Sequence, residues 1–159
     1  MPSEPLIAPL TTAEELEALL PAIAAYQRFY EVEGIDEERN RAFFARFLSP
    51  SEDGTILAAR VTTGNPANPG ELLGYACLYW HLSSLAAAET VLMNDLYVEE
   101  GQRGKGIGRA LIEASAEIAR ERGASHLEWA TAPDNHTAQR LYDSTGAARS
   151  EEIEYELAL

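Results

Sequence analysis

Apolar positions fall at helical spacing near the start of this chain, at strand spacing through its middle, and in alternating strand and helix patterns toward its end. Leu6-Ile7-Ala8 reads as an edge strand. Thr11 or Thr12 with Glu14 and Glu15 then marks a helix N-terminus, because a hydroxyl accepts from an orphan N–H and a glutamate bonds back to the cap. Leu16, Leu19 and Leu20 give that helix an apolar face. Pro21 is placed to restart a helix at its first turn, and Ile23, Tyr26, Phe29 and Tyr30 carry the i, i+3 spacing on to Gly34. Asp36 caps a further helix whose buried side is Phe43, Phe44, Phe47 and Leu48, with Pro50 stopping it.

Residues 55–61 and 72–80 read as strands separated by the turn-rich Thr63-Gly64-Asn65-Pro66-Ala67-Asn68-Pro69-Gly70, which predicts an antiparallel hairpin. A third strand at 90–98 runs into a glycine-rich turn and a helix over 108–122, whose Leu111, Ile112, Ser115, Ile118 and Ala119 face the core. A strand at 126–131, a helix over 135–145 and a last strand at 153–157 follow. Antiparallel strands first and a strand–helix–strand unit later predict an α+β fold. Its centre is a mixed, mostly antiparallel sheet of about six or seven strands, flanked by helices in three layers. Residues 1–159 read as one domain, long enough to bury about two-thirds of the unfolded surface in a single core.

Charge narrows the classes of partner. The 26 acidic and 12 basic side chains give a net charge of -14, which disfavours nucleic acid and anionic membranes and favours cationic ligands. Between Phe47 and Gln102 the only Lys or Arg is Arg60, whereas Arg103, Lys105, Arg109, Arg120 and Arg122 crowd the next stretch. No apolar run approaches the roughly 20 residues needed to span a bilayer, and Met1-Pro2-Ser3-Glu4-Pro5 lacks the basic-then-apolar pattern of a leader. The expected location is therefore cytoplasmic, without a membrane partner. The lone Cys77, mid-strand among Tyr75, Ala76 and Leu78, reads as a buried structural thiol and agrees with a reducing compartment. His81, His126 and His136 lack ligand spacing, and no metal is expected.

The densest chemistry lies in Asn94-Asp95-Leu96-Tyr97-Val98-Glu99-Glu100-Gly101-Gln102-Arg103-Gly104-Lys105-Gly106-Ile107-Gly108-Arg109-Ala110-Leu111, an apolar strand entering a basic glycine turn that opens a helix. Gly104, Gly106 and Gly108 let backbone N–H groups approach an anion, the helix adds unpaired N–H groups, and Arg103, Lys105 and Arg109 add positive charge. The turn reads as a pyrophosphate cradle. It is not a P-loop, since Gly104-Lys105 is followed by Gly106 rather than Ser or Thr, and its spacing does not match a Rossmann fingerprint. A second motif, Ala130-Thr131-Ala132-Pro133-Asp134-Asn135-His136-Thr137-Ala138-Gln139-Arg140-Leu141-Tyr142, places an Asp134 or Asn135 cap before a helix with Ala138, Leu141 and Tyr142 on one face. Gly146 ends it.

In this order, Arg103-x-x-Gly106-x-Gly108 after a strand, followed by the Asn135 and Leu141-Tyr142 motif, resembles the GNAT superfamily of N-acetyltransferases over about residues 70–159. The resemblance implies acetyl-CoA as co-substrate, held by Leu96, Tyr97, Val98, Arg103, Gly104, Lys105, Gly106, Ile107, Gly108, Arg109, Asn135 and Tyr142. It also implies that the strand ending at Val98 and the one starting near His126 splay apart around the pantetheine arm. A backbone amide near Val98 is the implied oxyanion donor, and Tyr142 the implied general acid for the leaving thiolate. Asn94-Asp95-Leu96-Tyr97-Val98, Tyr79-Trp80 and Tyr30-Glu31 are similar to the spermidine/spermine (diamine) N-acetyltransferase branch, which implies Tyr30, Glu31, Tyr79, Trp80, Asn94 and Asp95 around a small cationic amine.

That branch usually has Glu where this chain has Asn94, and Asn accepts no proton at neutral pH. The base is therefore open: Asp95 could bind the ammonium, carry its proton, or hold strand edges. Protein or peptide N-acetyl transfer and a non-catalytic acyl-CoA-binding module on the same fold also stay open. The alternation of Ile153-Glu154-Tyr155-Glu156-Leu157-Ala158-Leu159 suits an edge strand, and family habit implies a homodimer through such an edge.

Overall fold

The computed structural model describes residues 4–65 and 67–159. Met1-Pro2-Ser3, on which part of the leader expectation rests, and Pro66 of the turn-rich loop lie outside the described residues. The chain runs β1 (Leu6–Pro9), α1 (Ala13–Phe29), α2 (Glu37–Phe44), β2 (Gly54–Arg60), β3 (Leu72–Ser83), β4 (Ala88–Val98), α3 (Ile107–Glu121), β5 (Leu127–Glu128) and α4 (His136–Asp143). Short 3-10 turns follow α2 at Ala45–Phe47 and β4 at Glu100–Gln102.

The strands form one sheet in the order β1-β2-β3-β4-β5, antiparallel except for the parallel β4–β5 pair. Strand alternation gives the sheet two apolar faces. One packs Tyr75, Cys77 and Tyr97 against Leu16, Leu19 and Ile23 of α1 and Phe44 of α2. The other packs Ala76, Leu78, Val91 and Met93 against Leu111, Ile112 and Ala119 of α3. This is the expected three-layer α+β arrangement, with Cys77 buried as expected.

Capping explains where the helices start. Thr12 accepts from Glu15 N at 3.2 Å while the Glu15 carboxylate accepts from Thr12 N at 3.0 Å, and Asp36 accepts from Arg39 N at 3.0 Å. Pro21 does not restart a helix; α1 continues through it. The Glu17 carbonyl that Pro21 cannot bond lies on the exposed side, while Leu16, Leu19, Leu20 and Ile23 keep one continuous buried face. Phe43 is also exposed, because α2 ends at Phe44 and the tighter turn that follows swings Phe47 rather than Phe43 inward.

The sheet has five strands among the described residues, fewer than the six or seven expected. The predicted strand at 153–157 is not formed. Ile153 is 78% exposed and Tyr155 93% exposed, so the alternation is present but nothing pairs with it. A lone strand has no partner for its N–H and C=O groups and nothing to cover its apolar side.

Candidate active site

A single inserted residue organises the site. β3 and β4 pair Cys77 with Asp95 but Leu78 with Met93, so Asn94 is a β-bulge. Because side chains alternate, the insertion turns the rest of β4 over: Met93 packs toward α3, whereas Asp95 and Tyr97 face α1. It re-aims the backbone as well. Val91 N donates to His126 O on the β5 side, but past the bulge Glu99 N donates to Leu73 O of β3. Alternation therefore points the N–H groups of Leu96 and Val98 toward β5. Among the described residues no strand meets them there, since β4–β5 pairing stops at Leu92 and Glu128. The two strands part as the resemblance implied, and the cleft has backbone donors on one wall.

The glycine turn lies at the end of that wall. Gly104 and Gly106 hold φ of 76° and 84°, left-handed values that favour glycine, and a Cβ on either would meet nothing within 4 Å. Gly106 caps α3 without a side-chain hydrogen bond, and the first return bond is Ala110 N to Gly106 O, so the N–H groups of Ile107, Gly108 and Arg109 begin the helix uncapped. This is open backbone suited to a phosphate group. Gly108 differs: its Cβ would come within 3.0 Å of Leu141 Cδ2, so it serves close packing of α3 on α4. The cations divide too. Arg103 Nε donates to Val98 O at 3.1 Å and Lys105 Nζ to Gln102 Oε1 at 3.0 Å, beside the turn, whereas Arg109 reaches Ser144 at the end of α4.

On the α1 side of β4, a pocket of about 220 Å³ is lined by Tyr26, Gln27, Tyr30, Val32, Asn94 and Asp95. Asp95 is 6% exposed and, among the described residues, has no cationic partner. Asn94 Nδ2 donates to its Oδ1 at 2.8 Å. Burial pushes the carboxyl up to about 6, against the Asn94 hydrogen bond, which lowers it. Such a group is ionised at neutral pH yet close enough to exchange a proton there. Ionising it costs stability as pH rises from about 4 through 6, each pKa unit being worth about 1.4 kcal/mol. Asp95→Asn is therefore expected to be more stable than the parent by roughly 3 kcal/mol at pH 8 and equal to it near pH 3. Thermal melts across that range check this; a stability difference independent of pH would contradict it.

Tyr142 lies on α4 with its ring edge-on to Trp129 at 5.5 Å. Burial raises its pKa first and the neighbouring Tyr30 second, so it keeps its proton at working pH. Asn135 caps α4 through Oδ1, accepting from Ala138 N at 3.1 Å, which leaves its amide N–H groups for a ligand. Tyr30, Asn94 and Asp95 thus share one pocket, with Tyr142 near Tyr30. Other expected residues are placed elsewhere. Trp80 packs with the α3 face, donates to Ser51 O at 3.0 Å and stacks under Arg122 at 3.8 Å. Tyr79 shares the Asp95 face but stacks on Phe47 at 5.1 Å. Glu31 stands next to the pocket with a left-handed φ of 56°, its side chain not among the lining. Tyr97 donates to Glu99 at 3.1 Å, and Leu96 and Val98 pack toward α3, whose first residue, Ile107, joins the same apolar cluster.

Sequence spacing missed Tyr26, Gln27 and Val32 as pocket walls. The signal for Tyr26 was its i, i+4 relation to Tyr30, which puts both on one helix face.

The acetyltransferase (GNAT) family profile matches residues 17–147. The D-amino-acid N-acetyltransferase HPA3 of Saccharomyces cerevisiae is 42% identical over 100 residues, 62% of this chain and 58% of that protein. The chain thus matches little more than half the length of that relative. The thialysine N-epsilon-acetyltransferase of Bos taurus is 31% identical over 137 residues, 86% of this chain and 78% of that protein. The crystal structure of a probable acetyltransferase superposes with a TM-score of 0.81 at 29% identity, covering 97% of both chains.

Proposed function

This chain belongs to the GNAT acetyltransferase family, and from that premise we propose that it transfers an acetyl group from acetyl-CoA directly to a primary amine of a small cationic substrate. The observation that carries the reading is the bulge at Asn94. It brings a buried carboxylate in an amine-sized pocket and outward-facing N–H groups to one stretch of strand, beside an open glycine cradle. The cradle of Gly104, Gly106 and the α3 N-terminus, with Arg103 and Lys105, would hold the pyrophosphate, and Asn135 the pantetheine arm. Bound there, the co-substrate supplies an acetyl thioester.

Asp95 receives the proton that an ammonium must lose before its nitrogen can attack. The Val98 N–H steadies the carbonyl oxygen while the C–N bond forms and the C–S bond breaks. Tyr142 gives its phenolic proton to the departing sulfur and regains one from the nitrogen, which sheds its second proton as the amide forms. Positioning supplies the rest, because two reactants held together need no covalent relay through the protein.

An unpaired buried carboxylate in a chain of net charge -14 supports a cationic amine. The relatives named for D-amino acids and thialysine support a small substrate over a peptide. Isothermal titration with acetyl-CoA tests the first half of the reading: saturable heat is expected, and its absence at millimolar co-substrate would refute it. Binding without CoA release from any amine would leave only a non-catalytic acyl-CoA-binding module.

The chain is proposed to act as a homodimer in which the unpaired 153–157 segment adds to the open edge of β5 in a second copy. Its exposed Ile153, Tyr155 and Leu157 support this, as does the concavity of about 770 Å³ beside β5 that includes Ile112, Leu127 and Trp129. Light scattering at micromolar concentration is expected to give a dimer mass, falling to monomer on Tyr155→Glu; a monomeric parent would remove the idea.

A further inference from the structure

Tyr75 is fully buried, and its hydroxyl oxygen has no hydrogen-bond partner among the described residues. A sealed phenol without a partner is costly to keep. Its position gives the reason for keeping it. Tyr75 pairs with Tyr97 and Cys77 with Asp95, so Tyr75 and Asp95 are diagonal neighbours on the same sheet face.

The groups facing Asp95 are Tyr26 and Tyr30 from α1, Tyr75, Cys77 and Tyr79 from β3, and Asn94 and Tyr97 from β4. Two of them are committed by hydrogen bonds and two by ring packing. Tyr97 donates to Glu99, Tyr79 stacks on Phe47, Tyr26 packs against Tyr30, and Asn94 already holds one carboxylate oxygen. Among the described residues, Tyr75 is the one of these whose hydroxyl is sealed from solvent without a hydrogen-bond partner, and after burial itself the Asp95 charge is the strongest influence on it.

We propose that Tyr75 is a positioning residue for the proton acceptor, its hydroxyl donating through one buried water to the second oxygen of Asp95. No direct bond is made, and a water with two or more polar partners is the ordinary way to satisfy such a pair. This rests on the reading of Asp95 as the group that takes the ammonium proton. The bridge favours the ionised carboxylate and fixes which oxygen faces the amine.

Tyr75→Phe tests this with little change of shape. In the apo protein, the Asp95 carboxyl followed by carbon-13 NMR is expected to titrate about one pH unit higher than in the parent, because a donor to the ionised form is gone. In turnover, kcat/KM on the acid side is expected to fall about tenfold and to recover at alkaline pH. Within an Asp95→Asn background, Tyr75→Phe is expected to change the rate no further. A superimposable Asp95 titration would overturn the proposal, whatever happened to the melting temperature. A shifted titration with an unchanged rate profile would keep the Tyr75–Asp95 link and reject Asp95 as proton acceptor. Should Tyr75→Phe fold poorly, deuterium-sensitive exchange of the Tyr75 hydroxyl in the parent replaces it: slow exchange coupled to Asp95 ionisation is expected, and exchange indifferent to it contradicts the bridge.

Discussion

Tyr142→Phe is expected to lower kcat by about 10²–10⁴-fold while leaving acetyl-CoA affinity nearly unchanged, the range typical of losing one general acid. The phenol is the one proton donor on α4 placed near the amine pocket, and burial keeps it protonated. Phenylalanine keeps the ring that packs edge-on against Trp129, so packing is retained and only the proton is lost. A leaving thiolate then departs without one, and a leaving group of higher basicity suffers most. Pre-steady-state release of CoA is the sensitive readout. An unchanged rate would return Tyr142 to a packing role and leave solvent as the proton source.

Gly106→Val is expected to weaken acetyl-CoA binding by at least about 100-fold, or roughly 2.7 kcal/mol, in a protein that still folds. Two effects combine. Apart from its neighbours along the chain, no atom of the described residues lies within 4 Å of a Cβ on Gly106, so the new side chain enters the space proposed for phosphate. Its φ of 84° is also a conformation that a β-branched residue adopts only with strain of about 1–3 kcal/mol, which tilts the turn away from its cradle shape. Gly108→Val is a poorer probe, since it strikes Leu141 first and would disturb the packing of α4. Arg103→Ala should cost less, about tenfold, because Arg103 spends its Nε on the Val98 carbonyl and adds charge rather than shape. Titration calorimetry ranks the three; normal affinity in folded Gly106→Val would displace the pyrophosphate from this turn.

The features legible in the sequence were the local ones. Thr12, Asp36 and Asn135 each cap a helix through a side chain acting within three residues of itself, so their spacing suffices. The glycine turn was equally plain, because left-handed backbone at Gly104 and Gly106 is written in residue identity. Gly108 looked the same on paper, yet its constraint comes from Leu141, far along the chain. The Asn94 bulge left no mark, since one extra residue in a strand changes register without changing composition. That insertion sends Asp95 to the α1 face, so the sequence shows Tyr26 sharing a helix face with Tyr30 but not that this face meets Asp95. Trp80 failed as a pocket residue for the matching reason: neighbours in a strand point to opposite faces, so Tyr79 and Trp80 could not both line one site. The tail shows the converse, strand alternation without a partner within one chain.

The most direct test is acetyl transfer itself. Purified protein is to be incubated with acetyl-CoA and a panel of polyamines, diamino acids, D-amino acids, aminoglycosides and short peptides, with free CoA thiol and acetylated product followed together. Enzyme-dependent CoA release matched by N-acetylation of a small cationic amine, and lost in Tyr142→Phe, is the expected result; acetyl-CoA hydrolysis alone, or no release with any amine, would contradict it.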